Sequence, residues 1–132
     1  MKKKTIISLC LIAVVCFACF APALALQDNR ITPCAIVTFS SGMPKVAGTT
    51  NKYNPYAIAS VGLPEQLSVG FTLYKVVNGN EIYITSDSDG GYGNYFEAEA
   101  FVNLSSGTYK LYAYYQGETN SDGSTTTYTI NS

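Results

Sequence analysis

The 132-residue sequence has no histidine and no tryptophan, only 13% charged residues, and a single cysteine, Cys34, beyond its first 25 positions. Each shortage excludes something. Without imidazole, the commonest general base, the serine–histidine and cysteine–histidine nucleophile pairs and imidazole metal sites are all ruled out. One cysteine cannot close an internal disulfide, so the domain must hold together by packing and strand pairing. With no tryptophan, the 11 tyrosines carry most of the aromatic surface, and all of them lie after residue 25.

Those first 25 residues have a character of their own. Lys2, Lys3 and Lys4 precede an apolar run from Thr5 to Phe20, and Ala23-Leu24-Ala25 supplies the small-x-small pattern that a signal peptidase needs. The run is short for a membrane span, and Pro22 breaks it, so a cleavable export signal is read in preference to a retained anchor. Lipidation at Cys16 or Cys19 is the lesser alternative, because neither follows a Leu-x-Ala/Gly-type tripeptide. Cleavage after Ala25 leaves 107 of the 132 residues, one small domain. Losing three lysines leaves 5 basic residues against 9 acidic ones, a net charge of −4. That balance disfavours nucleic acid and anionic membrane surfaces as partners.

Along the remainder the hydrophobic period is two. Leu67, Val69, Phe71 and Leu73 share one face of a strand running to Val77, with Ser68, Gly70, Thr72 and Tyr74 on the other. Asn78-Gly79-Asn80 turns the chain into Glu81–Thr85, with Ile82 and Ile84 on one face, which is a hairpin. The polar, glycine-rich segment Ser86–Asn94 reads as a surface loop. Alternation resumes over Tyr95–Val102, with Phe96, Ala98, Ala100 and Val102 opposed to Glu97 and Glu99, and continues over Thr108–Gln116. A loop from Gly117 to Ser124 precedes a last strand, Thr125–Ile130. Upstream, Cys34–Phe39 reads as a strand, and Met43–Thr49 and Tyr56–Val61 as weaker ones. After a lead at 26–33, residues 34–132 are thus expected to form an antiparallel β-sandwich of seven or eight strands.

The sharpest local pattern is Leu104-Ser-Ser-Gly-Thr-Tyr109, followed by Lys-Leu-Tyr-Ala113. It resembles the tyrosine corner of immunoglobulin-like and fibronectin-like sandwiches. The resemblance implies that Tyr109 buries its ring and bonds an upstream backbone group, that Gly107 supplies a permissive turn and that Leu104 plugs the end of the core. The paired cysteines and core tryptophan of antibody domains are absent. As a whole the chain resembles small exported β-sandwich proteins of Gram-positive anaerobes, a resemblance that carries no activity with it.

Few residues offer chemistry. Glu97 and Glu99 could tempt a glycosidase reading, but residues two apart on one strand point the same way, and solvated charges on an open face explain them better. Asp87 and Asp89 resemble a fragment of a calcium loop, yet alignment at its third and fifth positions puts Thr85 first and Phe96 last, removing one carboxylate and the bidentate ligand. An ordinary polar turn is preferred, with weak calcium binding the alternative, and Asn120-Ser-Asp-Gly123 is weaker still. If Tyr109 faces the core, Tyr112 and Tyr114 face away from it, and Tyr74 and Tyr83 fall on the outward faces of the hairpin. Such rings either stack on sugars or anchor a protein partner, or else serve only cross-strand packing. Cys34 is expected to be a small buried hydrophobe with an unreactive thiol.

The expectation is therefore a secreted, extracellular or cell-surface, monomeric β-sandwich with no cofactor and no catalytic residues. Its role would be binding of an extracellular glycan or protein. A secreted toxin-like or bacteriocin-like effector is the alternative, disfavoured by the acidic balance and the lack of a cationic amphipathic stretch. Secreted material is predicted to begin at Leu26 or Gln27, which the intact mass of protein recovered from culture medium checks; a species retaining Met1 in the medium would refute the export signal.

Overall fold

The computed structural model describes residues 37–132. The predicted export signal, the lead at 26–33 and Cys34 lie outside the described residues. Seven strands follow in order: β1 (Thr38–Gly42), β2 (Lys52–Tyr53), β3 (Tyr56–Val77), β4 (Asn80–Glu99), β5 (Val102–Asn103), β6 (Gly107–Gln116) and β7 (Ser121–Ile130). All pairings are antiparallel, and there is no helix among the described residues. The protein is all-β, built of antiparallel, curled sheets.

The axis of the main sheet is β3, 22 residues long and paired on both edges. Along one edge runs β4. Along the other, β1 occupies the first half, from Ser60 to Tyr56, and β6 the second, from Ser68 to Val76, with β7 beyond it. The bend between the halves is built into the β3–β4 register, which jumps from Ser60↔Tyr95 to Glu65↔Gly93. Val61, Gly62, Leu63 and Pro64 therefore stand against Asn94 alone, a large bulge. Proline suits it, because a residue with no N–H loses nothing where the ladder is interrupted.

Both halves of β3 turn the same side inward. Ala57, Ala59 and Val61 from the first half and Leu67, Val69, Phe71 and Leu73 from the second join Ala98 of β4, Leu104, and Tyr109, Leu111 and Ala113 of β6 in one buried cluster. The period-two reading of Leu67–Leu73 and of Thr108–Gln116 describes these faces correctly. The β3–β4 hairpin turns through Asn78 and Gly79 alone, with φ of 51° and 78°. Two positive φ values are what a type I′ turn requires, and Asn-Gly is the pair that best tolerates them.

Several expected boundaries are corrected. Tyr56–Val61 and Leu67–Val77 are a single strand. Ser86–Asn94 is no loop but the middle of β4, with Ser86 opposite Thr72 and Tyr92 opposite Gln66. The backbone groups of β3 require partners there, and glycine lets the two chains approach: a Cβ on Gly90 would come 2.8 Å from the Leu67 carbonyl oxygen. The last strand begins at Ser121, leaving Gly117–Asn120 as the turn, closed by the Gly117 N–H donating to the Asn120 carbonyl at 2.7 Å. The first described strand is Thr38–Gly42, residues 34–36 of the expected one lying outside the described residues. Met43–Thr49 is not a strand but a turn around Gly48 (φ 74°), anchored by Met43 in the core, by a bridge from Lys45 to Tyr53 and by the Val46 N–H donating to the Lys52 carbonyl at 2.8 Å. Ile82 is half exposed whereas Ile84 packs on the core, because a register shift at Leu73/Tyr74 interrupts the alternation.

Tyr109 is 1% exposed, and its hydroxyl donates to the Ser105 carbonyl at 2.9 Å. Leu104 is buried beside it, and Gly107 has φ of 150°, where a Cβ would press on Lys75. Replacing Tyr109 by Phe removes the donor and leaves the partly buried carbonyl unpaired. A loss of roughly 1–3 kcal/mol in urea unfolding is expected, against a small loss for Tyr112→Phe, whose hydroxyl is on the outer surface. Equal losses from the two variants would refute this assignment of faces.

Candidate functional site

The second half of the main sheet has an outer face as well as a buried one, and its composition is unusual. Strand alternation and register place Gln66, Ser68, Gly70, Thr72 and Tyr74 of β3 beside Lys110, Tyr112, Tyr114 and Gln116 of β6. The exposed Thr125, Thr127 and Thr129 of β7 extend it on one side, and Ser86, Ser88, Gly90 and Tyr92 of β4 on the other. Hydroxyls, amides and tyrosine rings dominate this surface, and Lys110 is its one basic side chain.

All four tyrosines named from the sequence lie on it. Tyr74 is central: its ring meets Tyr83 edge-on at 6.2 Å and Tyr112 at 5.6 Å. Edge-to-face contact is the favoured arrangement of aromatic quadrupoles, so the three rings support one another as a cross-strand ridge. Tyr83 remains 57% exposed and also bonds the Ser86 hydroxyl at 2.9 Å. Tyr112 is held at its tip, donating to Glu81 Oε1 at 2.6 Å, an oxygen that also receives the Lys110 ammonium at 3.0 Å.

Tyr114 stands apart from the ridge. Its ring lies across the backbone of Gly70, where a Cβ would come 2.6 Å from the phenolic oxygen, and Gly70 is buried beneath it. Gly123 faces Tyr114 from the other flank. The ring thus leans over Gly70, where no side chain obstructs it, and Tyr114 remains 45% exposed. Sequence alternation identified the direction of this side chain; it had no means of finding the glycines beside it, which come from strands far away in the chain.

Beside Tyr114 an open cleft of ≈ 280 Å³ is lined by Gln66, Ser68, Gly90, Gln116, Gly117 and Glu118, among others. Its wall is fixed by a reciprocal exchange. The Gln66 N–H donates to Glu118 Oε1 at 3.0 Å, and the Glu118 N–H donates to Glu65 Oε2 at 3.1 Å. Glu65 is only 8% exposed. None of these residues, nor the 70% exposed Tyr92, was singled out from the sequence, because Tyr92 lay in what read as a loop and Glu118 lies 53 residues from Glu65.

The other sequence candidates lie elsewhere. Asp87 and Asp89 do not converge on a cation site. Asp87 Oδ2 accepts the Glu99 N–H at 3.0 Å, and Asp89 accepts those of Gly90 at 2.9 Å and Glu97 at 3.4 Å. These carboxylates cap amides on the second half of their own strand. No group of three or more carboxylate or cysteine side chains is placed to hold a metal ion among the described residues. Glu97 and Glu99 are exposed, accepting from the Tyr95 hydroxyl at 2.9 Å and the Asn54 amide at 3.3 Å.

No protein-family model matches the chain, and no curated protein sequence is similar to it.

The Glu81 cluster has a pH signature. Hydrogen bonds from Tyr112 and then Lys110 hold the Glu81 carboxyl below its usual range, while its acceptance raises both Tyr112 and Lys110. Glu81's part is present above the ordinary carboxylate range and fades as pH falls through its lowered value; the parts of Tyr112 and Lys110 are present below their ordinary values and fade as pH rises through the raised ones. In Glu81→Gln the Tyr112 ring should therefore ionise at lower pH than in the parent, as NMR titration of its ring carbons would report. An unchanged titration would show that the contact does not persist in solution.

Proposed function

We propose that this protein is an exported, non-enzymatic binding module of immunoglobulin-like sandwich type, acting outside the cell or at its surface, and that the outer face of its β4–β3–β6–β7 sheet holds a glycan. The observation that carries the reading is the exposed Tyr114 ring packed over Gly70. An exposed aromatic ring packed over glycine, in a surface whose one basic group, Lys110, is paired with Glu81, offers an apolar plane framed by hydroxyl and amide groups. Sugar rings present the complementary pair of surfaces, an apolar face of C–H groups and an equatorial rim of hydroxyls. A protein partner would more naturally seat a large apolar anchor in a desolvated pocket, with Arg and Trp among the contact residues.

The sandwich assignment is supported by the hydrogen bond from Tyr109 to the Ser105 carbonyl, the arrangement of a tyrosine corner. Export is supported by the basic, apolar and alanine-rich succession of the first 25 residues. A binding role without turnover is supported by the absence of histidine and by the engagement of Glu97 and Glu99 with neighbouring polar groups.

The test is binding of soluble polysaccharides followed by affinity gel electrophoresis. The variant carrying both Tyr83→Ala and Tyr114→Ala is expected to lose about tenfold or more in affinity, equivalent to ~1.4 kcal/mol, while keeping the β-type circular dichroism of the parent. Retention of full affinity by the folded double variant would sink the proposal.

A further inference from the structure

We infer that the cleft beside Tyr114 is a subsite for one unit of a neutral glycan chain, with Tyr92 as the aromatic platform on its far side. The inference rests on the glycan-binding reading of the outer face and adds to it the place, the contacts and the charge of the ligand.

The position follows from strand register. Ser68 of β3 is flanked by Gly90 of β4 and Gln116 of β6, and these three form the floor of the cleft. One step along β3 in one direction, Gly70 lies under Tyr114; one step in the other, Gln66 faces Tyr92. The cleft thus lies between two exposed tyrosines. Their backbones are separated by four residues along the strands and two strands across, roughly 16 Å, which is wider than any single sugar. A volume of ≈ 280 Å³ lies just below the ~300–1,000 Å³ of drug-sized pockets, and it is open. The occupant is one saccharide unit of a chain that continues over a tyrosine at either end.

The chemistry selects the same ligand. Gln116 and Gln66 each offer amide donors and an acceptor, Ser68 offers a hydroxyl, and together they match the mixed donor and acceptor character of a sugar ring. Glu118 Oε1 is held by the Gln66 N–H, and Oε2 makes no hydrogen bond among the described residues, so one oxygen of a fixed carboxylate is ready to accept from a hydroxyl. Glu65, more than nine-tenths buried, holds the Glu118 backbone from behind, making it a positioning residue. Gly90 leaves the floor flat, and neither it nor Gly117 beside Glu118 takes a side chain freely. A Cβ on Gly90 would meet the Leu67 carbonyl at 2.8 Å, and one on Gly117 the Asn120 carbonyl and Glu65 Oε1 at 3.2 Å. No lysine or arginine lines the cleft, while Glu118 does. Uronate, sulfate and phosphate groups are therefore repelled, and a neutral polymer is accepted.

The experiment uses the secreted protein with mixed-linkage β-glucan, xylan, galactomannan and pullulan as neutral probes and polygalacturonate and chondroitin sulfate as anionic ones. Retardation by at least one neutral polymer and by neither anionic one is expected, with Tyr92→Ala and Gln116→Ala each weakening binding about five- to tenfold. Both side chains are exposed, so the melting temperature should not change. If a neutral polymer is bound and the Tyr83→Ala, Tyr114→Ala double variant loses it while Tyr92→Ala and Gln116→Ala do not, the face binds glycan and the cleft is not its subsite. Tighter binding of the anionic polymers overturns the assigned charge. If no polymer is retarded, the glycan reading of the face falls together with the subsite.

Discussion

The backbone of β3 imposes the constraint on which the rest of the structure depends. A strand of 22 residues presents hydrogen-bonding groups on two edges, and almost all must find partners where the strand is buried. One edge is satisfied by β4 and the other by β1 and β6 in succession. The bulge at Val61–Pro64 lets a single strand do this while its buried side chains, from Ala57 to Leu73, keep turning inward. The same requirement draws the polar Ser86–Asn94 segment into the sheet, although its residues have little intrinsic preference for strands.

Glycine opposite an aromatic ring is the device by which this sheet accepts weak strand residues. Tyr114 covers Gly70, the Tyr56 ring occupies the space where Gly42 would carry a side chain, and Phe96 does the same at Gly93. In each case the ring supplies the packing that glycine lacks, as in aromatic rescue of strand glycines. At Gly70 this structural device also produces the exposed ring on which the functional reading rests.

Polar side chains close what the strands leave open. Asp87 and Asp89 accept amides from the second half of β4, and Glu65 and Glu118 exchange backbone contacts between β3 and the turn before β7. Carboxylates spent this way hold the curl and the cleft wall in place. They also explain why a short acidic stretch that resembles part of a cation loop need not be one.

Composition and local pattern by themselves determined the all-β class, the inward face of β3 and β6, the Asn78-Gly79 turn and the burial of Tyr109 and Leu104. Each is decided by residues within a few positions of one another: a period of two, a pair tolerant of positive φ, a short motif before a strand. The outward direction of Tyr74, Tyr112 and Tyr114 followed for the same reason. Only the tertiary structure decided that Ser86–Asn94 is a strand, that Gly70 and Gly123 flank Tyr114, that Glu81 holds Tyr112, and that Gln66, Gln116 and Glu118 gather around one cleft, with Tyr92 opposite Gln66. Those arrangements join residues from different strands, and pairing between strands is set by which backbone edges need partners and how closely they can approach, neither of which is written in any local stretch of the chain.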